Sequence, residues 1–229
     1  MAVILPMLHE RSAACAVLWD MDGTLIDSED LHWHSWRETM ASEGITITHD
    51  QFLASFGQRN DSIIPAWLGA KISTERIRTI ETAKEEMFRL LVRERGVSPL
   101  RGVAEWIHRL KESGWLQAIA SSAPRQNVET VVNALGIAGY FQILVSAEDV
   151  SRGKPDPEVF LLAASRLGVP PERCIVIEDA AAGIEGARRA GMWSIAVSRS
   201  NPPLAADISV NSLDLLEPDG LGTLLQRKR

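Results

Sequence analysis

The sequence predicts an α/β fold: a Rossmann-like parallel sheet flanked by helices, with a small all-helical cap inserted after the first strand. Three observations predict it. Short apolar runs bounded by turn residues recur at 14–19, 116–120, 142–145, 174–177 and 194–197. They do not strictly alternate, as expected of strands covered on both faces. Helical periodicity lies between most of these runs, and strand followed by helix, repeated, argues for parallel pairing. Residues 28–96 break that rhythm, reading as helices with no good strand.

In chain order, residues 1–13 read as a leader before the first strand; Pro6 interrupts their apolar character and no basic stretch precedes it, so a signal peptide is not expected. The first strand runs into Asp20. The helical insert at 28–96 carries Trp33, Trp36, Phe52, Phe56, Trp67 and Phe88, with Trp36 expected in its core, and Gly96 to Pro99 returns the chain to the sheet. The core then comprises 14–27 and 97–229. Val103, Trp106, Ile107 and Leu110 share one helix face, as do Val128, Val131, Val132 and Leu135, and Phe160, Ala163, Ala164 and Leu167. Open parallel sheets bind ligands at the carboxyl ends of their strands, so an insert rooted there sits over the site as a lid.

Composition narrows the class. The 229 residues are 45% hydrophobic and 24% charged, ordinary values for a soluble globular protein. A formal charge of -6 offers no basic surplus for nucleic acid. No apolar stretch approaches the roughly 20 residues needed to span a bilayer. Cys15 and Cys174 each open an apolar run and read as buried, reduced residues of a cytoplasmic protein. A monomer is the default for a capped fold of this size.

Polar residues collect at the predicted strand ends. The first strand ends in Asp20-Met21-Asp22-Gly23-Thr24. Two carboxylates so close raise each other's pKa unless a cation intervenes, and hard oxygen ligands favour Mg²⁺. Taken alone the segment also fits an Asp-Gly turn. The second strand ends in Ser121-Ser122 before a helix, where a serine either caps or, with the helix amides, holds phosphate. Lys154 lies in Gly153-Lys154-Pro155-Asp156-Pro157, as a solvated turn lysine or a point charge on a phosphoryl oxygen. Glu178-Asp179 ends a later strand, as a helix cap or the second half of a metal site. Asp20, Asp22, Glu178 and Asp179 on one rim require Mg²⁺ and Lys154 to balance them.

This order and spacing resembles the haloacid dehalogenase superfamily of phosphotransferases, and within it the helical-cap group that contains β-phosphoglucomutase and many sugar-phosphate phosphatases. The resemblance covers about Ala14 to Val197. It implies that Asp20 is the nucleophile, forming an aspartyl-phosphate, and that Asp22 is the general acid and then base. It implies Mg²⁺ on the carboxylates of Asp20 and Asp179, with Glu178 nearby, and on the backbone carbonyl of Asp22. Ser121 and Lys154 would grip the phosphoryl group. Retention of Asp22 favours phosphate esters over haloacids. In the cap, the segment 27–32 resembles the hinge of the β-phosphoglucomutase-like group and places His32 at a cap histidine. The segment 57–62 resembles its specificity loop, one residue shorter, so that Arg59 matches approximately the arginine that grips a second phosphate. Lys84 resembles a cap lysine facing the substrate. On their own, His32 fits equally a packed core histidine and Lys84 a solvated one. The expected activity is Mg²⁺-dependent hydrolysis of a small phosphate ester such as a sugar phosphate. A phosphomutase and a catalytically silent binding module are the alternatives.

Overall fold

The computed structural model describes residues 14–55, 58–198 and 202–227. The leader at 1–13, together with Phe56 and Gly57, lies outside the described residues. Strands β1 (Ala16–Trp19), β2 (Leu116–Ala120), β3 (Ile143–Val145), β4 (Cys174–Glu178), β5 (Trp193–Val197) and β6 (Ile208–Val210) form one sheet in the order β3-β2-β1-β4-β5-β6. Every pairing is parallel. The chain leaves β1 toward β2 on one side and returns to pair β4 on the other. The topological switch point therefore lies between β1 and β4, where open α/β sheets bind their ligands.

Helices cover both faces because strand side chains alternate. Val17, Trp19, Ile175 and Ile177 face α5 (Val103–Glu112) and α6 (Arg125–Ala134), meeting Trp106, Ile107, Val128 and Val131. Ala16, Leu18, Cys174 and Val176 face α7 (Glu158–Leu167) and α8 (Ala181–Arg189), meeting Phe160, Ala163 and Ala187. Full burial of each large side chain contributes roughly 1.5–3 kcal/mol. Buried Gln117 ties the sheet to α5: it accepts from Trp19 Nε1 (3.1 Å) and donates to the Ile107 carbonyl (2.9 Å).

Four helices occupy the described chain between β1 and α5: α1 (Glu29–Ser42), α2 (His49–Ser55), α3 (Asn60–Leu68) and α4 (Thr74–Arg95). They bury a separate apolar cluster of Trp36, Met40, Ile47, Phe52, Ile63, Ile64 and Ile80. Helix α4 starts where Ser73 Oγ accepts from the Arg76 N–H (3.2 Å) and stops at Gly96, whose φ of 73° ends the helix. The two passages between the helical layer and the sheet run side by side: Ile26 bridges Pro99, and Leu100 N–H donates to the Leu25 carbonyl (2.9 Å).

Two expectations need correction. Cys15 is only half-buried, because it precedes the strand, and Arg173 Nη2 contacts its sulfur at 2.9 Å. Strand β6 and the helix α9 (Gly220–Gln226) follow the last apolar run read from the sequence; β6 is three residues long and not fully buried, so it lacks the apolar signature of an inner strand. No helix among the described residues is long and apolar enough to cross a membrane.

Candidate active site

Strand register builds the site. Trp19 lies opposite Ile177 and Ile119, so the next residues of the three strands, Asp20, Glu178 and Ala120 with Ser121 beyond it, come together at the carboxyl edge. The Asp20 N–H still donates to the Ile177 carbonyl (3.0 Å), which prevents its backbone from peeling away. Lys154, on the loop before α7, reaches back to donate to Asp20 Oδ1 (2.5 Å) and Glu178 Oε1 (3.1 Å). Its side chain is 8% exposed and its ammonium lies 5.1 Å from the centre of the Phe160 ring, so it is not a solvated turn lysine.

The second acid pair is seated by two glycines. At Gly23, φ is 82° and an added Cβ would lie 2.1 Å from Asp179 Oδ2. At Gly183, in the first turn of α8, an added Cβ would lie 1.7 Å from Glu178 Oε1. Glu178 Oε2 also accepts from the Asp179 N–H (3.0 Å). Asp20, Glu178 and Asp179 each offer a carboxylate oxygen within 4.8 Å of the others.

Electrostatics follow from this crowding. Burial, opposed by Lys154 and reinforced by Asp179, pushes Asp20 up to about 7. Burial also pushes Glu178 and Asp179 up to about 7, with Asp20 adding to the first and Glu178 to the second. Lys154 is moved the other way: burial opposes its charge, but Asp20 and Glu178 outweigh it and raise its pKa. Three hard oxygen donors that repel one another in a buried cluster fit a divalent cation such as Mg²⁺.

Asp22 faces elsewhere. Its Oδ1 lies 3.2 Å from His32 Nε2, outside the three-carboxylate cluster. His32 is stacked on Phe88 (4.3 Å between centres), and its Nδ1 lies 2.9 Å from Lys84 Nζ. Burial pushes Asp22 up, but the His32 imidazole and the Lys84 charge outweigh it and hold the carboxyl below its ordinary value. Ser121 is buried and its Oγ accepts from the Ala123 N–H (3.0 Å).

These groups share one cavity of about 200 Å³ between sheet edge and helical layer. Asp20, Asp22, Ser121, Lys154, Glu178 and Asp179 line it from below; His32, Arg59 and Lys84 line it from above. All nine residues singled out in the sequence therefore border the same space. Arg59 does so with its guanidinium paired to Asp61 (3.2 Å). Sequence reasoning passed over Asn60, Glu85 and Asn127, which border it too. Asn60 and Glu85 lie beside residues that were noted, but no spacing rule marks a polar side chain that pairs across elements.

A family model described as haloacid dehalogenase-like hydrolase matches residues 17–197. The chain is 34% identical over 220 residues to the chloroplastic 5-amino-6-(5-phospho-D-ribitylamino)uracil phosphatase of Arabidopsis thaliana, covering 92% of itself but only 58% of that relative's length. It is 33% identical to hexitol phosphatase B of Escherichia coli, covering 90% of itself and 96% of the relative. Among solved structures, β-phosphoglucomutase from Clostridium difficile superposes with a TM-score of 0.82 at 26% identity, over 93% of this chain and 97% of that one.

Proposed function

Because the chain belongs to the haloacid dehalogenase-like hydrolase family of enzymes, we propose that it is a Mg²⁺-dependent phosphatase of a small phosphorylated metabolite, a sugar or polyol monophosphate. The observation that carries the reading is the buried Asp20 carboxylate, held by Lys154 and clustered with Glu178 and Asp179, with the second aspartate turned to a separate proton-handling group. Residues 28–96 act as the cap, and 14–27 with 97–229 as the core. The named relatives, one a hexitol phosphatase, support the substrate class. The protein acts as a cytoplasmic monomer.

Asp20 attacks phosphorus and forms the new P–O bond as the ester P–O bond breaks. Asp22 gives its proton to the leaving oxygen; the approaching phosphate anion raises its pKa for that step. With the leaving alcohol gone, Asp22 returns to the carboxylate form that His32 and Lys84 favour. It then takes a proton from water as the water oxygen attacks phosphorus, and Asp20 is released. Ser121 and Lys154 hold phosphoryl oxygens throughout, since this chemistry rests on positioning and charge stabilisation. Asp20, Asp179, Glu178 and the Asp22 carbonyl would hold Mg²⁺, which supplies neutralising charge to the phosphoryl oxygens.

A mutase would use the same groups and pass the phosphoryl to a bound sugar phosphate. The pairing of Arg59 with Asp61 favours water instead, because a second phosphate must compete for that guanidinium. The test is phosphate release from a panel of sugar and polyol phosphates with Mg²⁺. Turnover is expected with Mg²⁺, none after chelation, and a loss of about 10³-fold or more in Asp20→Asn. Interconversion of hexose 1- and 6-phosphates under a bisphosphate activator, without release, would transfer the assignment to the mutase.

A further inference from the structure

Asn127 is a buried core residue on α6, and α4 grips it at both ends. Its Nδ2 donates to Glu85 Oε2 (2.5 Å) and its Oδ1 accepts from Arg89 Nη1 (2.9 Å). Residues 85 and 89 are four apart on one helix, hence on one face. Only this orientation of the amide serves both, since Glu85 offers only acceptors and Arg89 only donors. Glu85 is itself 7% exposed, and its Oε1 accepts from Asn60 Nδ2 (2.7 Å) and Lys84 Nζ (2.8 Å). Lys84 is the residue whose ammonium meets His32 Nδ1, which places the remaining ring proton on Nε2, toward Asp22.

We propose that Glu85 is a positioning residue that, by clasping Asn127, locks the helical layer on the sheet layer and so sets Lys84 and His32 against Asp22. The proposal rests on the reading of Asp22 as the proton-transfer group. Asn60, Lys84, Glu85 and Arg89 all belong to residues 28–96, as does His32; Asn127 and Asp22 belong to the core. Separation of the layers therefore breaks the two bonds to Asn127 together with the His32–Asp22 contact, and leaves whole the bonds among His32, Asn60, Lys84 and Glu85. A buried carboxylate is a poor choice for simple adhesion, because an apolar residue of similar volume packs two helices as well or better. What the carboxylate adds is direction: one placement of α4 on α6 satisfies its donors, and a slipped placement leaves it buried and unpaired.

The test exchanges the polarity of the clasp. Asn127→Asp sets two carboxylates against each other; Glu85→Gln with Asn127→Asp restores a donor–acceptor pair and leaves the new carboxylate on α6 facing Arg89. Two readouts are taken: steady-state hydrolysis of the best ester from the panel, and spin-label distances between Leu53→Cys on α2 and Leu161→Cys on α7, both exposed, in a chain with Cys15 and Cys174 replaced by alanine. Asn127→Asp is expected to lower kcat by roughly 10–100-fold with KM changed less than about threefold. Its distance distribution should broaden toward longer values, and the exchanged pair should recover both. An unchanged distance distribution in Asn127→Asp, or a loss of kcat that only tracks the unfolded fraction in urea, would overturn the proposal. If the wild-type chain hydrolyses no ester, the phosphatase reading fails, while the distances still decide whether the clasp closes the layers.

Discussion

Gly23→Ala separates backbone strain from damage to the site. Gly23 holds φ at 82°, a left-handed conformation that costs an alanine about 1–2 kcal/mol. The new methyl would also lie 2.1 Å from Asp179 Oδ2 and 2.6 Å from its Cγ, so the short carboxylate must swing out of the cluster it shares with Asp20 and Glu178. Misplacement of a reacting group by about 1 Å can lower turnover about 10²-fold. The expected phenotype is therefore lopsided. Stability in urea falls by about 1–2 kcal/mol, while kcat/KM falls by about 10²-fold, equivalent to roughly 2.7 kcal/mol of transition-state stabilisation. The control is the same substitution in an Asp179→Ala chain. There the clash is gone and only the strain remains, so Gly23→Ala should cost the same stability and almost no further activity. Full activity in Gly23→Ala, or an equal loss of activity in both backgrounds, would refute the claim that this glycine makes room for Asp179.

Two predictions concern stability away from the chemistry. Burial opposes the charge of Asp149, but the Ser146 N–H, Arg166, the Ser146 hydroxyl and Arg125 outweigh it and hold its carboxyl far below the ordinary range. A carboxyl lowered in the folded state stabilises it above the unfolded pKa of about 3.9 and loses that effect as pH falls through the folded value. Asp149→Asn should thus lose about 1–2 kcal/mol at pH 7 once solvent screening of its exposed partners is counted, with its deficit shrinking in urea titrations carried below pH 4; a pH-independent deficit contradicts the ionic account. Gln117→Ala orphans the Trp19 indole N–H, removes the side-chain donor to the Ile107 carbonyl and leaves a void. It should cost about 2–5 kcal/mol, with kcat of the folded fraction within about twofold of wild type.

Much of this architecture was legible because its signals are local. Each inner strand is an apolar run, and three of the chemical residues sit one step beyond such a run. Asp20 follows Trp19, Ser121 follows Ala120, and Glu178 ends β4. The helix faces were legible for the same reason, through residues such as Val103, Trp106, Ile107 and Leu110, all buried. What the sequence could not convey is set by distance in three dimensions. Lys154 and Lys84 carry the same charge and each sits in a polar stretch, yet both are buried because acids from other elements meet Lys154 and the neighbouring Glu85 meets Lys84. Asn127 carries no signal at all, since its partners lie 42 and 38 residues away on α4. Strand β6 escaped notice because a short, partly exposed edge needs no apolar run.

Asp20 and Asp22, two residues apart, face different layers because the chain leaves the sheet between them. Asp20 still belongs to the sheet by its N–H bond to Ile177, and its carboxylate meets the core residues Lys154, Glu178 and Asp179. Asp22 has left the strand and stands just before the turn in which Gly23 N–H donates to the Ile26 carbonyl (2.8 Å), and its carboxylate meets His32 of the helical layer. In the proposed mechanism the phosphoryl grip is complete in the core alone, whereas proton transfer requires the cap. His32→Asn should therefore lower kcat by about 10²-fold while the inhibition constants of inorganic phosphate and of beryllium fluoride with Mg²⁺ stay within about twofold of wild type. Both ligands need only the core residues, and neither needs a proton delivered. Inhibition constants that rise in parallel with the loss of kcat would mean that His32 holds the phosphoryl group itself, and that the division of labour between Asp20 and Asp22 is wrong.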